Sequence, residues 1–193
     1  MSIEFTTDAI LEYHPNAIEA TPEEIKEVVE IVSKEEKIKL KMFSRECTMH
    51  RKQKMFGQDY KFSGITVKKH KGEMPALIQK CVEFSQKNYP ELEANAILAN
   101  LYGPSDYISP HRDNEGKHAK GKPIIGFSFG EARKLTIKSY KRKRDDKGYV
   151  KHEQILEAGS VYVMQGKEFQ KVLTHEVGKG SGIRLSLTIR EFK

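Results

Sequence analysis

Residues 184–190 of this chain, Arg184-Leu185-Ser186-Leu187-Thr188-Ile189-Arg190, alternate without a break between polar and apolar side chains. A period of two is the signature of a β-strand whose two faces meet different surroundings. Leu185, Leu187 and Ile189 then point to one side, a core, and Arg184, Ser186, Thr188 and Arg190 to the other. A face with two guanidinium groups and two hydroxyls is either washed by solvent or lines a polar pocket. In a pocket the cations require an anion, because a buried charge without a partner is costly. Arginine offers a rigid fork that binds a carboxylate in bidentate fashion, at about 1.5–3 kcal/mol for a charge-assisted hydrogen bond. A small dicarboxylate fits such a face.

A second feature adds chemistry. In His111-Arg112-Asp113 an imidazole and a carboxylate stand one residue apart, so an extended backbone aims both at one point. His175, from a distant segment, completes a set of two imidazoles and one carboxylate, the facial arrangement that leaves open positions on a non-haem Fe(II). Joined to the dicarboxylate face, these residues point to Fe(II) with 2-oxoglutarate and O2. Two other readings stand at this level. In one, the His and Asp belong to an exposed loop and the arginines to a solvated strand face. In the other, the three ligands hold Zn²⁺ with an activated water, which leaves the polar face of 184–190 without a role.

A chain of 193 residues suits one domain with a sizeable core and is short for two. Lys and Arg outnumber Asp and Glu by 34 to 27, a formal charge of +7, which favours a polyanionic partner through a long-range, salt-sensitive attraction. Nucleic acid comes first among such partners and a membrane surface second; simple solubility is the bland alternative. Cys47 and Cys81 are the two cysteines, too few for a disulfide scaffold or a four-thiolate zinc site, so a reducing intracellular setting, cytoplasm or nucleus, is expected. No apolar run approaches the roughly 20 residues that cross a bilayer, and the N-terminal residues lack a signal-peptide layout. Glycine-rich nucleotide loops, a nucleophile elbow and Cys-x-x-Cys pairs are missing, which removes support for nucleotide cofactors and the common hydrolase plans. The expected protein is soluble and monomeric.

Along the chain, Phe5, Ile10, Leu11 and Tyr13 suit a short strand against a main sheet. Thr21-Pro22-Glu23-Glu24 predicts a helix start with a capping box. The helix reaches about Ser33, and its Ile25, Val28, Val29 and Val32 form one apolar stripe. Residues 37–43 alternate Lys with Ile38, Leu40 and Met42 and predict a strand; residues 45–53 read as irregular and basic. Residues 60–64 follow Gly57 as a turn leading into a strand, and a second helix spans about 75–88. Strands are predicted at 95–102, 124–129, 134–140, 159–165 and 183–192. Helices first and strands later argue for an α+β layout with a double-sheet jelly roll, whose mouth is a natural ligand site. His14, His50, His70, His118 and His152 lack ligand spacing and read as surface residues. The basic run at 138–144 is either a solvated loop or a phosphate contact.

Taken in order, Asn100-Leu101-Tyr102, His111-Arg112-Asp113, Gly126-Phe127-Ser128-Phe129-Gly130, Gly159-Ser160, His175 and the 184–190 strand resemble the AlkB family of Fe(II)/2-oxoglutarate nucleic-acid dealkylases, over about residues 43–192. The resemblance implies one domain over residues 1–193, with N-terminal helices and a nucleotide-recognition lid within about 1–90 and a double-stranded β-helix (jelly-roll) core over 94–193. It implies iron on His111, Asp113 and His175. Arg184 would pair with the distal carboxylate of 2-oxoglutarate and Arg190 would lie near its metal-bound end, with Asn100, Tyr102, Ser186 and Thr188 in support. The chain is most similar to homologues acting on duplex DNA: Arg51-Lys52-Gln53, Phe56-Gly57 and Tyr60-Lys61-Phe62-Ser63-Gly64 match their lid, with His50 where they usually carry proline.

The substrate contacts so implied are Phe43, Arg51, Gln53, Tyr60, Phe62 and Glu115. Phe62 would stack on an extruded base opposite His111, and Phe43 would be a finger filling the gap left in the duplex. Tyr60 and Phe62 read equally well as core positions of a strand, and Phe43 as a cap on the core beneath the lid. The implied activity is oxidative removal of an N-methyl group from 1-methyladenine or 3-methylcytosine, in DNA or RNA, with release of formaldehyde. The alternatives are a protein hydroxylase using the same co-substrate and a catalytically degenerate nucleic-acid-binding module.

Overall fold

The computed structural model describes residues 1–42, 45–62, 64–114, 117–140 and 147–193. β1 (Ser2–Thr6) and β2 (Ala9–His14) lead to α1 (Pro22–Ser33), a hairpin of β3 (Lys39–Met42) and β4 (Arg45–Thr48), and β5 (Lys52–Phe56). A second hairpin, β6 (Tyr60–Phe62) and β7 (Ile65–Val67), precedes α2 (Ala76–Asn88). The remaining strands are β8 (Ala96–Tyr102), β9 (Ile108–His111), β10 (Ile124–Gly130), β11 (Arg133–Ser139), β12 (Lys151–Leu156), β13 (Val161–Gln165), β14 (Leu173–Val177) and β15 (Arg184–Arg190). A seven-stranded antiparallel sheet, in the order β1-β2-β13-β10-β15-β8-β5, faces a four-stranded one, β12-β11-β14-β9. This is a jelly-roll architecture with two helices, as the order of segments predicts.

The helices lie on the outer face of the larger sheet. α1 starts as its sequence dictates: the Thr21 hydroxyl accepts from the Glu24 amide at 3.2 Å, and the Glu24 carboxylate accepts from the Thr21 amide at 2.9 Å. Val28 and Val32 of α1 and Leu77, Ile78 and Cys81 of α2 pack on Ile97, Ile125, Phe127, Leu185, Leu187 and Ile189. The apolar half of the 184–190 alternation is therefore spent on the helices. Its polar half faces the space between the two sheets.

That space is filled unevenly. Beneath β2 and β13 it is apolar core, where Leu11, Tyr162 and Met164 meet Leu135, Ile137, Leu173 and Val177 of the smaller sheet. Beneath β15, β8 and β5 it is hollow, a cavity of about 450 Å³. All three strands send polar side chains inward there: Arg184 pairs across the ladder with Tyr102, Ser186 with Asn100, and Asn100 with Gln53.

Several elements depart from the sequence reading. The N-terminal residues make two strands that extend the larger sheet, and β5 closes its other edge, so the jelly roll also draws on residues before 90. Residues 45–53, read as irregular, contain β4 and the start of β5. β9, β12 and β14 were not among the predicted strands: β9 carries Pro110, and β12 begins Lys-His-Glu-Gln at a sheet edge with no apolar face to betray it. His118, read as a surface residue, is 6% exposed; its ring packs edge-on between Tyr60 and Phe192. No helix among the described residues is long and apolar enough to cross a membrane.

Candidate active site

His111 ends β9 and His175 lies on β14, directly across the ladder from it. Their rings stand 4.2 Å apart, and Asp113, two residues beyond, brings its two oxygens to 3.7 Å from His111 Nε2 and 3.7 Å from His175 Nε2. One ligand atom from each of the three lies within 4.8 Å of the others. Arg112, between them, points elsewhere: it donates to the Lys171 carbonyl at 2.8 Å and sits 4.0 Å over the Tyr140 ring. The extended backbone thus sorts the triplet as the spacing predicts, with two ligands inward and the arginine outward.

Protonation suits a divalent cation. Burial lowers the His175 pKa to about 3, with the neighbouring His111 adding to the effect, and burial lowers that of His111 as well. Burial alone would raise the Asp113 pKa, but Arg190, then His175 and His111, outweigh it and hold the carboxyl well below the usual carboxylate range. Two neutral imidazoles and one ionised carboxylate result. The Ser109 carbonyl lies 2.9 Å from His111 Nδ1 and can only accept, so Nδ1 carries the proton and Nε2 keeps its lone pair. Arg190 Nη2 donates to Asp113 Oδ2 at 2.8 Å, so this arginine orients a ligand carboxylate.

Arg184 is 1% exposed. One of its nitrogens, Nη2, donates to Ser128 Oγ at 2.8 Å, and its Cζ lies 5.2 Å from the centre of the Tyr102 ring. Its Nε and Nη1 have no hydrogen-bond acceptor among the described residues, and desolvation lowers its pKa. A buried cation with unmatched donors suits a carboxylate ligand. All seven residues of β15 are buried, which removes the reading of its arginines as a solvated face.

The predicted residues converge on one cavity, lined by His111, Asp113 and His175, by Asn100, Tyr102, Arg184, Ser186, Thr188 and Arg190, and by Arg51, Gln53, Tyr60 and Phe62. Asn100 joins two of these groups, since its Oδ1 accepts from Arg51 Nε at 2.8 Å and from Gln53 Nε2 at 2.9 Å. Tyr60 is buried and stacks on the half-buried Phe62 at 4.9 Å. Phe43, Glu115 and the basic residues 141–144 lie outside the described residues.

Three features escaped the sequence reading. Ser128 belongs to a noted motif but had no role, and it is the partner of Arg184. Tyr162 lines the cavity and lies against Gly126, where a Cβ would come within 2.2 Å of its ring; a glycine inside a strand signals such an approach. Arg133, its side chain 0% exposed, donates to the carbonyls of Gly103, Asp106 and Gly182 and faces Glu131 at 3.3 Å. It staples together two loops at the cavity rim. One of them carries Tyr107, which stacks on His50 at 4.4 Å.

Comparison with known proteins agrees with this geometry. The model of the family described as the 2OG-Fe(II) oxygenase superfamily matches residues 9–190. Among solved structures, that of OsALKBH1 aligns with a TM-score of 0.61 at 16% identity, covering 94% of this chain and 97% of that one; at that identity the likeness is one of fold. No curated protein matches the chain in sequence.

Proposed function

We propose that this chain, which belongs to the 2OG-Fe(II) oxygenase superfamily and has the fold of an AlkB homologue, demethylates N-alkylated bases such as 1-methyladenine and 3-methylcytosine in nucleic acid. As a dioxygenase of this superfamily it uses Fe(II), 2-oxoglutarate and O2. One observation carries the finer reading: a single cavity of about 450 Å³ is lined at once by the three-ligand cluster, the buried Arg184 and the Tyr60–Phe62 aromatic pair.

His111, Asp113 and His175 would hold the iron, which with 2-oxoglutarate and O2 supplies the oxidising equivalent that hydroxylates the N-methyl carbon before formaldehyde departs. The chain's own residues then have distinct tasks. Arg184, fixed by Ser128 and backed by Tyr102, takes the distal carboxylate of 2-oxoglutarate; Asn100, Tyr102, Ser186 and Thr188 line its berth. Arg190 keeps Asp113 ionised and oriented. Tyr60 and Phe62 provide the aromatic wall against which an extruded base stacks, offsetting the few kcal/mol lost on unstacking. The formal charge of +7 draws the phosphate backbone. Phe43 as finger and Glu115 as a substrate contact are further assignments on the strength of the family resemblance; a single domain follows from the length, an intracellular location from the cysteine usage, and a monomeric state is part of the same reading.

Succinate and formaldehyde release should be measured side by side on methylated duplex DNA, methylated single-stranded DNA, methylated RNA and peptides. Turnover of methylated nucleic acid with stoichiometric formaldehyde is the expected result. Turnover of peptides alone would overturn the reading in favour of a protein hydroxylase.

A further inference from the structure

The cavity contains a buried acceptor that no described residue satisfies. Gln53, on β5, lines the cavity and is 3% exposed. The orientation of its amide follows from its neighbours. Arg51 has only donors to offer, and its Nε lies 2.8 Å from one side-chain atom of Asn100, so that atom is the carbonyl oxygen Oδ1. Gln53 approaches the same oxygen at 2.9 Å and must present its own donor, Nε2, there. Flipping the amide would set carbonyl against carbonyl. The Gln53 Oε1 is therefore turned away from Asn100, and it accepts no hydrogen bond among the described residues. Buried acceptors in native proteins are almost always matched, and leaving one unmatched is unfavourable. Because Gln53 lines the cavity, a ligand bound there is placed to supply the donor.

We propose that Gln53 Oε1 is a specificity-determining acceptor for the exocyclic amino group of the extruded base. The proposal rests on the demethylase reading above and adds a rule of selection to it. Adenine at C6 and cytosine at C4 carry an exocyclic N–H donor beside the methylated nitrogen, whereas guanine at C6 and thymine at C4 carry a carbonyl oxygen. An amino group completes the Gln53 acceptor. A carbonyl would face it oxygen to oxygen, and a site built around a hydrogen bond discriminates strongly against an analogue that cannot make it. Gln53 is held for this task by Asn100, which is held in turn by Arg51. The selection is thus built into β5 and β8.

The test compares kcat/KM on two single-stranded oligonucleotides of identical flanking sequence, one containing 3-methylcytosine and the other 3-methylthymine. The wild-type protein and Gln53→Leu are assayed with Fe(II) and 2-oxoglutarate. The ratio of the two values does not depend on how much of the variant is folded. The wild-type protein should prefer 3-methylcytosine, and Gln53→Leu should reduce that preference by about 10- to 100-fold. The affinity ratio for the same two oligonucleotides, read by fluorescence anisotropy without turnover, should fall in parallel. Losses of equal size on both substrates would make Gln53 a structural support for Asn100 and overturn the proposal. Wild-type turnover of neither oligonucleotide would instead overturn the demethylase reading and this proposal with it.

Discussion

The isolated position of the Arg184 guanidinium leads to a prediction that runs against the usual expectation for a buried residue: replacing it with Met should stabilise the ligand-free protein. Arg184 is 1% exposed, with Nε and Nη1 unmatched and one bond to Ser128 at 2.8 Å. Each unmatched buried donor costs about 1–3 kcal/mol, and the Ser128 bond returns about 1 kcal/mol. Arg184→Met, of similar length and without charge, should therefore raise stability by about 1–5 kcal/mol. At roughly 2–4 °C per kcal/mol for a chain of this size, the Tm rises by at least about 2 °C. The wild-type protein with Mn²⁺ and 2-oxoglutarate at a hundred times Kd should gain about 2.7 kcal/mol, a shift of about 5–11 °C. The variant should show no shift with 2-oxoglutarate. Thermal unfolding with and without the co-substrate reads both effects together. A variant that is less stable than wild type when ligand-free, yet keeps the full 2-oxoglutarate shift, would refute the reasoning.

Acid should destabilise the metal-free protein from about pH 6.5 downward. Burial lowers the pKa of His175 to about 3 and that of His118 to about 4, so between pH 6.5 and 4 the unfolded chain binds protons that the folded one refuses. Stability then rises with pH across that window, by about 1.4 kcal/mol per pH unit for each such histidine, and chemical denaturation at a series of pH values checks the slope. Gly126→Ala should lower the Tm, because its Cβ would lie 2.2 Å from the Tyr162 ring in the packed space between the sheets; about 1–3 kcal/mol is expected from such overpacking, measured by the same thermal melt. Duplex DNA binding should weaken linearly in log–log with salt, at a slope of about −0.9 per phosphate neutralised, and salt-insensitive binding in a titration would speak against a polyanionic substrate.

The parts of this fold that were legible in the sequence are those where a residue's face and its chemistry coincide. Alternation over 184–190 displays both sides of β15 at once, and the spacing of His111 and Asp113 needs only an extended backbone to become a site. The capping box at Thr21 and Glu24 fixed a helix start to the residue. What stayed hidden depends on partners that sequence does not advertise. Arg133 looks like any basic residue at the start of a strand, but its partners are three backbone carbonyls from two loops and one glutamate. His118 is buried by Tyr60 and Phe192, which are remote from it along the chain. β12 is an edge strand with polar residues on both faces, and its pairing with β11 decides its conformation. The histidine pair shows the same dependence: only the β9 and β14 register sets His111 opposite His175.

The central claim is that His111, Asp113 and His175 bind one metal ion. Asp113 is a poor place to test it, because its loss would also remove an ion-pair partner of the buried Arg190. His111 is better, since its side chain is 30% exposed and its removal leaves no buried charge behind. Anaerobic titration of the metal-free protein with Fe(II), followed by calorimetry, is predicted to give one ion per chain for the wild-type protein and at least about a tenfold weaker site for His111→Ala at unchanged circular dichroism. Equal Fe(II) affinity and stoichiometry in the two proteins would contradict the account.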